Sequence, residues 1–380
     1  MTRWGNIFGC VLVAALSVTG CDTILEETSA FGVGSVQFVS EDEGWVLGRP
    51  AGCTGQCIEI RHTTDGGRSW RRAPALPFPP SGLVFADSRN WFATYRPPTP
   101  GAVLSELWST HDGGEHWQRV LLPGVRLWEY LPEVVVADGT VQVPFFDPYS
   151  GEMFVVTGPV GTDDFTRSEP LRVPVDADEY RSRSHEFGMV RAGTTTWFGG
   201  GLDSPTRRAA PGREARLIDG RWSSWALPCP ERHRPKLFAP NISALLISCI
   251  PRAEDDIAFG THHLFVSTDA GDTFTHRGVL PAALTAAATT EDLVVAITDP
   301  SDDTRTALRT SHDGGRTWTT TLAPPATRGL HGNPHVTHGA FFTPRVGFVV
   351  LPYIGTAPDG EERLYLTRDG GDTWNLLVLD

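Results

Sequence analysis

The chain has 380 residues, with 32 Lys+Arg against 45 Asp+Glu, a formal net charge of −13, and 40% hydrophobic against 20% charged positions. That balance excludes a disordered or collagen-like polymer and argues against binding nucleic acid or an anionic membrane surface through bulk charge. The 40 glycines and 30 prolines fall between short apolar runs, the pattern of many turns and short strands.

Residues 1–20 read as an export signal and stand outside the fold. Arg3 supplies a positive start, and Ile7 to Leu16 supply an apolar stretch of secretory length. Val18-Thr19-Gly20-Cys21 follows and resembles a bacterial lipobox. The resemblance implies lipidation of Cys21 and an extracytoplasmic protein held to the bacterial cell membrane by its lipid alone. A plain signal peptide ending near a cysteine is the other reading. No later run approaches the ~20 apolar residues of a spanning helix. The expected division is a signal over 1–20, a lipidated tether over 21–31 and one folded domain over 32–380.

Cys10 leaves with the signal and Cys21 takes the lipid, so Cys53, Cys57, Cys229 and Cys249 remain. Outside the cytoplasm they read as two disulfides with three possible pairings. Nearest-neighbour pairing, Cys53 with Cys57 and Cys229 with Cys249, is favoured because each pair brackets one turn-rich stretch. A zinc site of four thiols is the competing reading, although its spacing fits no common zinc module.

Five octets share one pattern: 63–70 (TTDGGRSW), 110–117 (THDGGEHW), 267–274 (STDAGDTF), 311–318 (SHDGGRTW) and 367–374 (TRDGGDTW). The aspartates Asp65, Asp112, Asp269, Asp313 and Asp369 can accept backbone N–H bonds inside a tight turn, the following glycine tolerates φ > 0, and the hydroxyl residues satisfy their neighbours. The octets resemble Asp-boxes, the bacterial neuraminidase repeat, which implies structural hairpin locks in a β-propeller. Their spacing is roughly 45–55 residues, a blade period, with one gap close to three periods long. Two worn copies fit that gap, at Thr162-Asp163-Asp164-Phe165 and Asp219-Gly220-Arg221-Trp222.

The expected fold is therefore all-β: a seven-bladed β-propeller of four-stranded antiparallel blades, with six or eight blades left open by the middle of the chain, where blades three and four carry no good octet. The first blade reads Val36 to Val39, Trp45 to Leu47, Ile58 to Ile60 and Trp70 to Arg72. The last reads Ala340 to Phe342, Val346 to Leu351, Leu364 to Leu366 and Trp374 to Leu379. Every blade supplies its own strands, so closure rests on packing blade one against blade seven.

In such a blade the turn between the third and fourth strands lies on one face, and the second-to-third and inter-blade connections lie on the other. Ligand contacts are expected on that second face, among Arg49 to Gln56, Arg96 to Gly101, Val125 to Pro132, Val173 to Glu186, Gly200 to Glu214, Pro251 to His263, Pro324 to His338 and Pro352 to Glu362. Trp128 and Tyr130, with Arg126 and Arg181, are candidate binding residues; packing between blades is the plain alternative for the aromatics. His331, His335 and His338 are candidate zinc ligands or a solvated loop. Glu254-Asp255-Asp256 and Asp302-Asp303 could hold Ca²⁺ or be solvated loop charge. No cofactor is otherwise expected, and a monomer is.

The Asp-box family includes sialidases, whose chemistry implies three arginines on a carboxylate, a Tyr–Glu nucleophile pair and an Asp acid/base. The family's Arg-Ile-Pro motif has no counterpart before the first octet. Arg172-Val173-Pro174 has the right look at the wrong place, so no catalytic residue is assigned. The phrases 38–48 (FVSEDEGWVLG) and 341–350 (FFTPRVGFVV), with a weaker copy at 85–92 (FADSRNWF), resemble the photosystem II stability and assembly-factor type of seven-bladed propeller. That resemblance implies a non-catalytic binding or assembly role toward a protein, peptide or glycan, with a sialidase-like glycoside hydrolase as the alternative.

Overall fold

The computed structural model describes residues 31–50, 52–53, 57–95, 97, 106–122, 134–147, 152–172, 188–199, 215–230, 233–240, 243–251, 261–299, 302–323, 338–352, 362–377 and 379. The candidate residues Cys21, Arg126, Trp128, Tyr130, Arg181, His331 and His335 lie outside this set, as does the His338 side chain.

Seven antiparallel sheets follow one another along the chain. Blade one holds β1 (Phe31–Phe38), β2 (Gly44–Pro50), β3 (Glu59–Thr63) and β4 (Arg71–Arg72). Blade two holds β5 (Gly82–Phe85), β6 (Trp91–Tyr95), β7 (Glu106–Thr110) and β8 (Gln118–Arg119). Blade three has β9 (Val135–Ala137), β10 (Thr140–Asp147), β11 (Glu152–Pro159) and β12 (Thr166–Arg167), and β13 (Leu171–Arg172) also pairs with β11. Blade four is β14 (Gly188–Ala192), β15 (Thr195–Gly199), β16 (Ala215–Ile218) and β17 (Arg221–Ser224). Blade five is β18 (His233–Phe238), β19 (Leu245–Pro251), β20 (His262–Ser267) and β21 (Thr275–Leu280). Blade six is β22 (Leu284–Ala287), β23 (Leu293–Asp299), β24 (Asp302–Ser311) and β25 (Thr319–Leu322). Blade seven is β26 (His338–Phe341), β27 (Gly347–Pro352), β28 (Glu362–Thr367) and β29 (Asn375–Leu376). This is the seven-bladed β-propeller that the octet spacing predicts.

The second strand of a blade is covered on both faces by neighbouring blades, so it reads as an unbroken apolar run instead of an alternating one. β19 is buried along its whole length, and so are Trp91 to Thr94 of β6. The core is accordingly a ring of seven clusters, one at each blade interface. Between blades one and two, Trp45 stacks on Phe85 at 4.6 Å and both meet Trp91.

Closure follows the expected route. Phe31, Val33, Val36 and Phe38 of β1 pack against Phe348, Val350, Leu364, Leu366, Leu377 and Leu379 of blade seven. Phe31 is only 2% exposed, under the Arg61 guanidinium 4.4 Å from its ring. It belongs to the first strand.

Between the third and fourth strands, the expected turns are found at both worn positions. Residues 160–165 join β11 to β12, and Asp219-Gly220 joins β16 to β17 with φ of 48° and 76°. Two consecutive positive φ values are the signature of the two-residue hairpin that matches strand twist, which explains why blade four manages without an octet.

Candidate functional site

The octets form one rim. In each, the leading hydroxyl donates to the aspartate and accepts a glycine N–H, as in Thr63 Oγ1 to Asp65 Oδ1 (2.8 Å) and Gly67 N to Thr63 Oγ1 (2.8 Å). The aspartate then accepts the amide and side chain four residues on: Ser69 at 2.9 and 2.6 Å, His116 at 3.0 and 2.8 Å, and Thr273, Thr317 and Thr373 each at 2.9 and 2.6 Å. The indoles of Trp70, Trp318 and Trp374 donate back to Gly67, Gly315 and Gly371. The turn also docks on its own blade, because the N–H of Gly66, Gly113, Ala270, Gly314 or Gly370 bonds a carbonyl of the first-to-second-strand turn.

These bonds set the charge state. The Asp65 carboxyl is held well below the usual carboxylate range by the Ser69 hydroxyl first, then by the Ser69 amide and Thr63. Asp112 is held down by the His116 amide and ring, Asp269 by Ser267 and Thr273, and Asp313 by Thr317 and Ser311. Burial opposes ionisation of Asp369, yet the Thr373 hydroxyl and amide hold it below its ordinary value. An aspartate saturated with donors and fixed as an anion is a poor general acid and has little lone-pair capacity left for a metal.

In three octets the second position reaches to the next blade. His111 bonds Asn90 (2.6 Å) and Asp163 of blade three (3.3 Å), and Arg368 bonds the Gly66 carbonyl of blade one. His312 donates from Nδ1 to Asp292 (2.8 Å) and from Nε2 to Asp372 of blade seven (2.9 Å). The Asp292 hydrogen bond, opposed by burial and joined by Asp372, raises the imidazole above its ordinary value. The rim is thus stitched from within.

The strands that flank 123–133, 173–187, 200–214 and 324–337, the longest stretches between described strands, end at the other rim, whereas the octet rim has turns as short as 138–139 and 219–220. Glu254-Asp255-Asp256 also falls outside the described residues, as do the side chains of Asp302 and Asp303. The favoured disulfides are both present, Cys53–Cys57 and Cys229–Cys249, with Cα separations of 6.0 and 5.5 Å. Of the tyrosines, Tyr95 packs at a tilt on Phe78 (4.8 Å) and Tyr365 is buried between blades six and seven.

Two groups escape a sequence reading. Phe78, from the link into blade two, packs on Tyr95, Trp108 and Trp117 with ring centroids 4.8–5.9 Å apart. On blade five, His233, His263 and His276 gather from three strands, with successive rings at 5.4 and 5.3 Å. Burial first, and the two neighbouring imidazoles second, lower His263 from its ordinary value. Among the described residues, no three His, Cys, Asp or Glu side chains converge on a single point.

No protein-family model and no curated protein matches the sequence. Solved structures do match over nearly the whole chain. An oligogalacturonate lyase from Vibrio parahaemolyticus is 9% identical, with a TM-score of 0.58 over 89% of this chain and 91% of its own. A PL25 ulvan lyase is 11% identical, with a TM-score of 0.52 over 93% and 96%. YCF48 bound to D1 peptide is 14% identical, with a TM-score of 0.46 over 93% and 95%. At these identities the likeness is one of fold, and it places the chain among the β-propellers.

Proposed function

We propose that the chain is an extracytoplasmic lipoprotein, anchored through lipidated Cys21, whose octets are Asp-box locks and whose opposite rim binds a protein, peptide or glycan without catalysis. One observation carries this reading. All five octet aspartates are consumed by internal hydrogen bonds on one rim, while the longest connections leave the other. A rigid scaffold with its variable segments on one side is a binding architecture, and the fold alone assigns no chemistry.

The test is a pull-down from membranes with the intact chain. The reading expects a partner retained by the wild type, lost from Trp128→Ala/Tyr130→Ala, and kept by the octet-rim variant Arg316→Ala. Cys21→Ser is expected to release the protein from the membrane fraction. Turnover of a sialoside or of an acidic polysaccharide by the purified chain would replace the binding reading with an enzymatic one.

A further inference from the structure

An Asp-Gly pair is prone to rearrange through its own backbone, because glycine places no Cβ in the path of its amide nitrogen toward the aspartate Cγ. Among the described residues the pair occurs six times, at 65–66, 112–113, 138–139, 219–220, 313–314 and 369–370. In sequence the six are alike, and the fold treats them differently.

The rearrangement needs an amide nitrogen free to move, a carboxyl free to turn, and that carboxyl in its protonated form, since a carboxylate has no good leaving group. The four octet pairs lack all three. Gly66, Gly113, Gly314 and Gly370 donate their N–H groups to the carbonyls of Asp42, Arg89, Glu291 and Arg345 at 2.7–3.0 Å. Each octet aspartate is pinned by the hydroxyl two residues before it and by the amide and side chain four residues after it. All four carboxyls lie below their ordinary values and stay ionised. Asp138 is held once, by the Gly193 amide of blade four at 2.8 Å.

Asp219-Gly220 is the exception. It forms the tip of the β16–β17 hairpin, and both residues are exposed. Among the described residues, none hydrogen-bonds the Asp219 carboxyl or the Gly220 N–H. Nothing stands within 4 Å of where a Gly220 Cβ would lie. Asp219 also holds a left-handed φ of 48°, which a residue with a side chain adopts at a cost.

We propose that Asp219 is a site of spontaneous isomerisation to isoaspartate. The Gly220 nitrogen bonds to Asp219 Cγ and gives up its proton, and the carboxyl hydroxyl takes that proton and leaves as water, closing a succinimide ring. Water then adds back at one of the two ring carbonyls. At Cγ it restores aspartate. At the main-chain carbonyl it breaks the original peptide C–N bond, so the chain runs on through Cγ and the main-chain carboxyl becomes the free acid. One water leaves and one returns, and nothing is oxidised or reduced. The product puts an extra backbone carbon into a two-residue turn. The following strand carries Trp222, whose indole donates to the Glu169 carbonyl of blade three at 2.7 Å, so the modification loosens the seam between blades three and four. It is independent of the binding role proposed for the opposite rim.

The test keeps the full purified chain at about 37 °C and about pH 5, near the ordinary carboxyl range. Isoaspartate is located over several weeks by peptide mapping with electron-transfer fragmentation. It is expected to accumulate at Asp219 at least tenfold faster than at Asp65, Asp112, Asp313 or Asp369, with Asp138 between. In concentrated urea the six sites are expected to react at similar rates. Asp219→Asn keeps the hairpin, because asparagine suits this turn. At neutral pH it is expected to close the same ring with loss of ammonia and to turn up as aspartate and isoaspartate. Equal rates at Asp219 and the octets in the folded chain, a difference that persists in urea, or an Asp219→Asn chain that keeps its amide would overturn the proposal.

Discussion

Asp313 shows how one side chain holds a turn, since it accepts the Ser311 hydroxyl together with the Thr317 amide and hydroxyl. Asp313→Ala is expected to lower the melting temperature by a few degrees in a calorimetric scan, with Thr317→Ala smaller in the same direction. Because the folded carboxyls lie below the ordinary aspartate range, their contribution is complete above about pH 4 and is lost as pH falls through the folded values. His312 runs the opposite way. Its folded value is raised, so its contribution is full below the ordinary imidazole value of about 6.5 and disappears as pH rises through the folded value. The ring is nearly half exposed, so solvent screening keeps the effect under about 1 kcal/mol. His312→Gln should abolish that pH slope in urea melts, and an unchanged slope would refute the clasp. Gly114 has φ of 93°, and a Cβ there would stand 2.6 Å from the Trp91 ring. Gly114→Ala is therefore expected to cost about 1–3 kcal/mol by chemical denaturation. The octet was legible because its partners lie within four residues of one another. The Asp292 and Asp372 partners of His312 were not, because no local pattern marks them.

Hairpins and disulfides govern the individual blades. Cys229–Cys249 closes a 20-residue separation and Cys53–Cys57 only 4. Removing the first with Cys229→Ser/Cys249→Ser is expected to cost about 3 kcal/mol in urea melts, and removing the second clearly less, because a longer closed loop restricts the unfolded chain more. A larger loss from the Cys53–Cys57 pair would contradict that ordering. Blade boundaries were readable where apolar runs and turn residues agree, as in Trp45 to Leu47 and Asp219-Gly220. β13 was not, because two residues beside β11 carry no period of their own.

The ring closes by apolar packing of its ends, so its stability depends on residues nearly the whole chain apart. Phe31 sits in that seam, and Phe31→Ala is expected to cost about 3–5 kcal/mol and to open the blade one–seven interface to limited proteolysis. Preserved protease resistance would show that other contacts hold the seam. The same closure leaves one rim stitched by His111, His312 and Arg368 across blade boundaries, and the other free to carry long connections.

By itself the sequence determined the repeat and its turn chemistry, since these are written in residues close together in the chain, where hydrogen-bonding capacity and turn geometry act directly; it favoured seven blades and nearest-neighbour cysteine pairing, and the tertiary structure decided both. Tertiary structure decided what meets across strands and blades: the Phe78, Tyr95, Trp108 and Trp117 cluster, the His312 clasp and the three imidazoles of blade five. Strand register, one bulge and the rotation of each blade against the next make those meetings, and none of the three leaves a period in the amino-acid order.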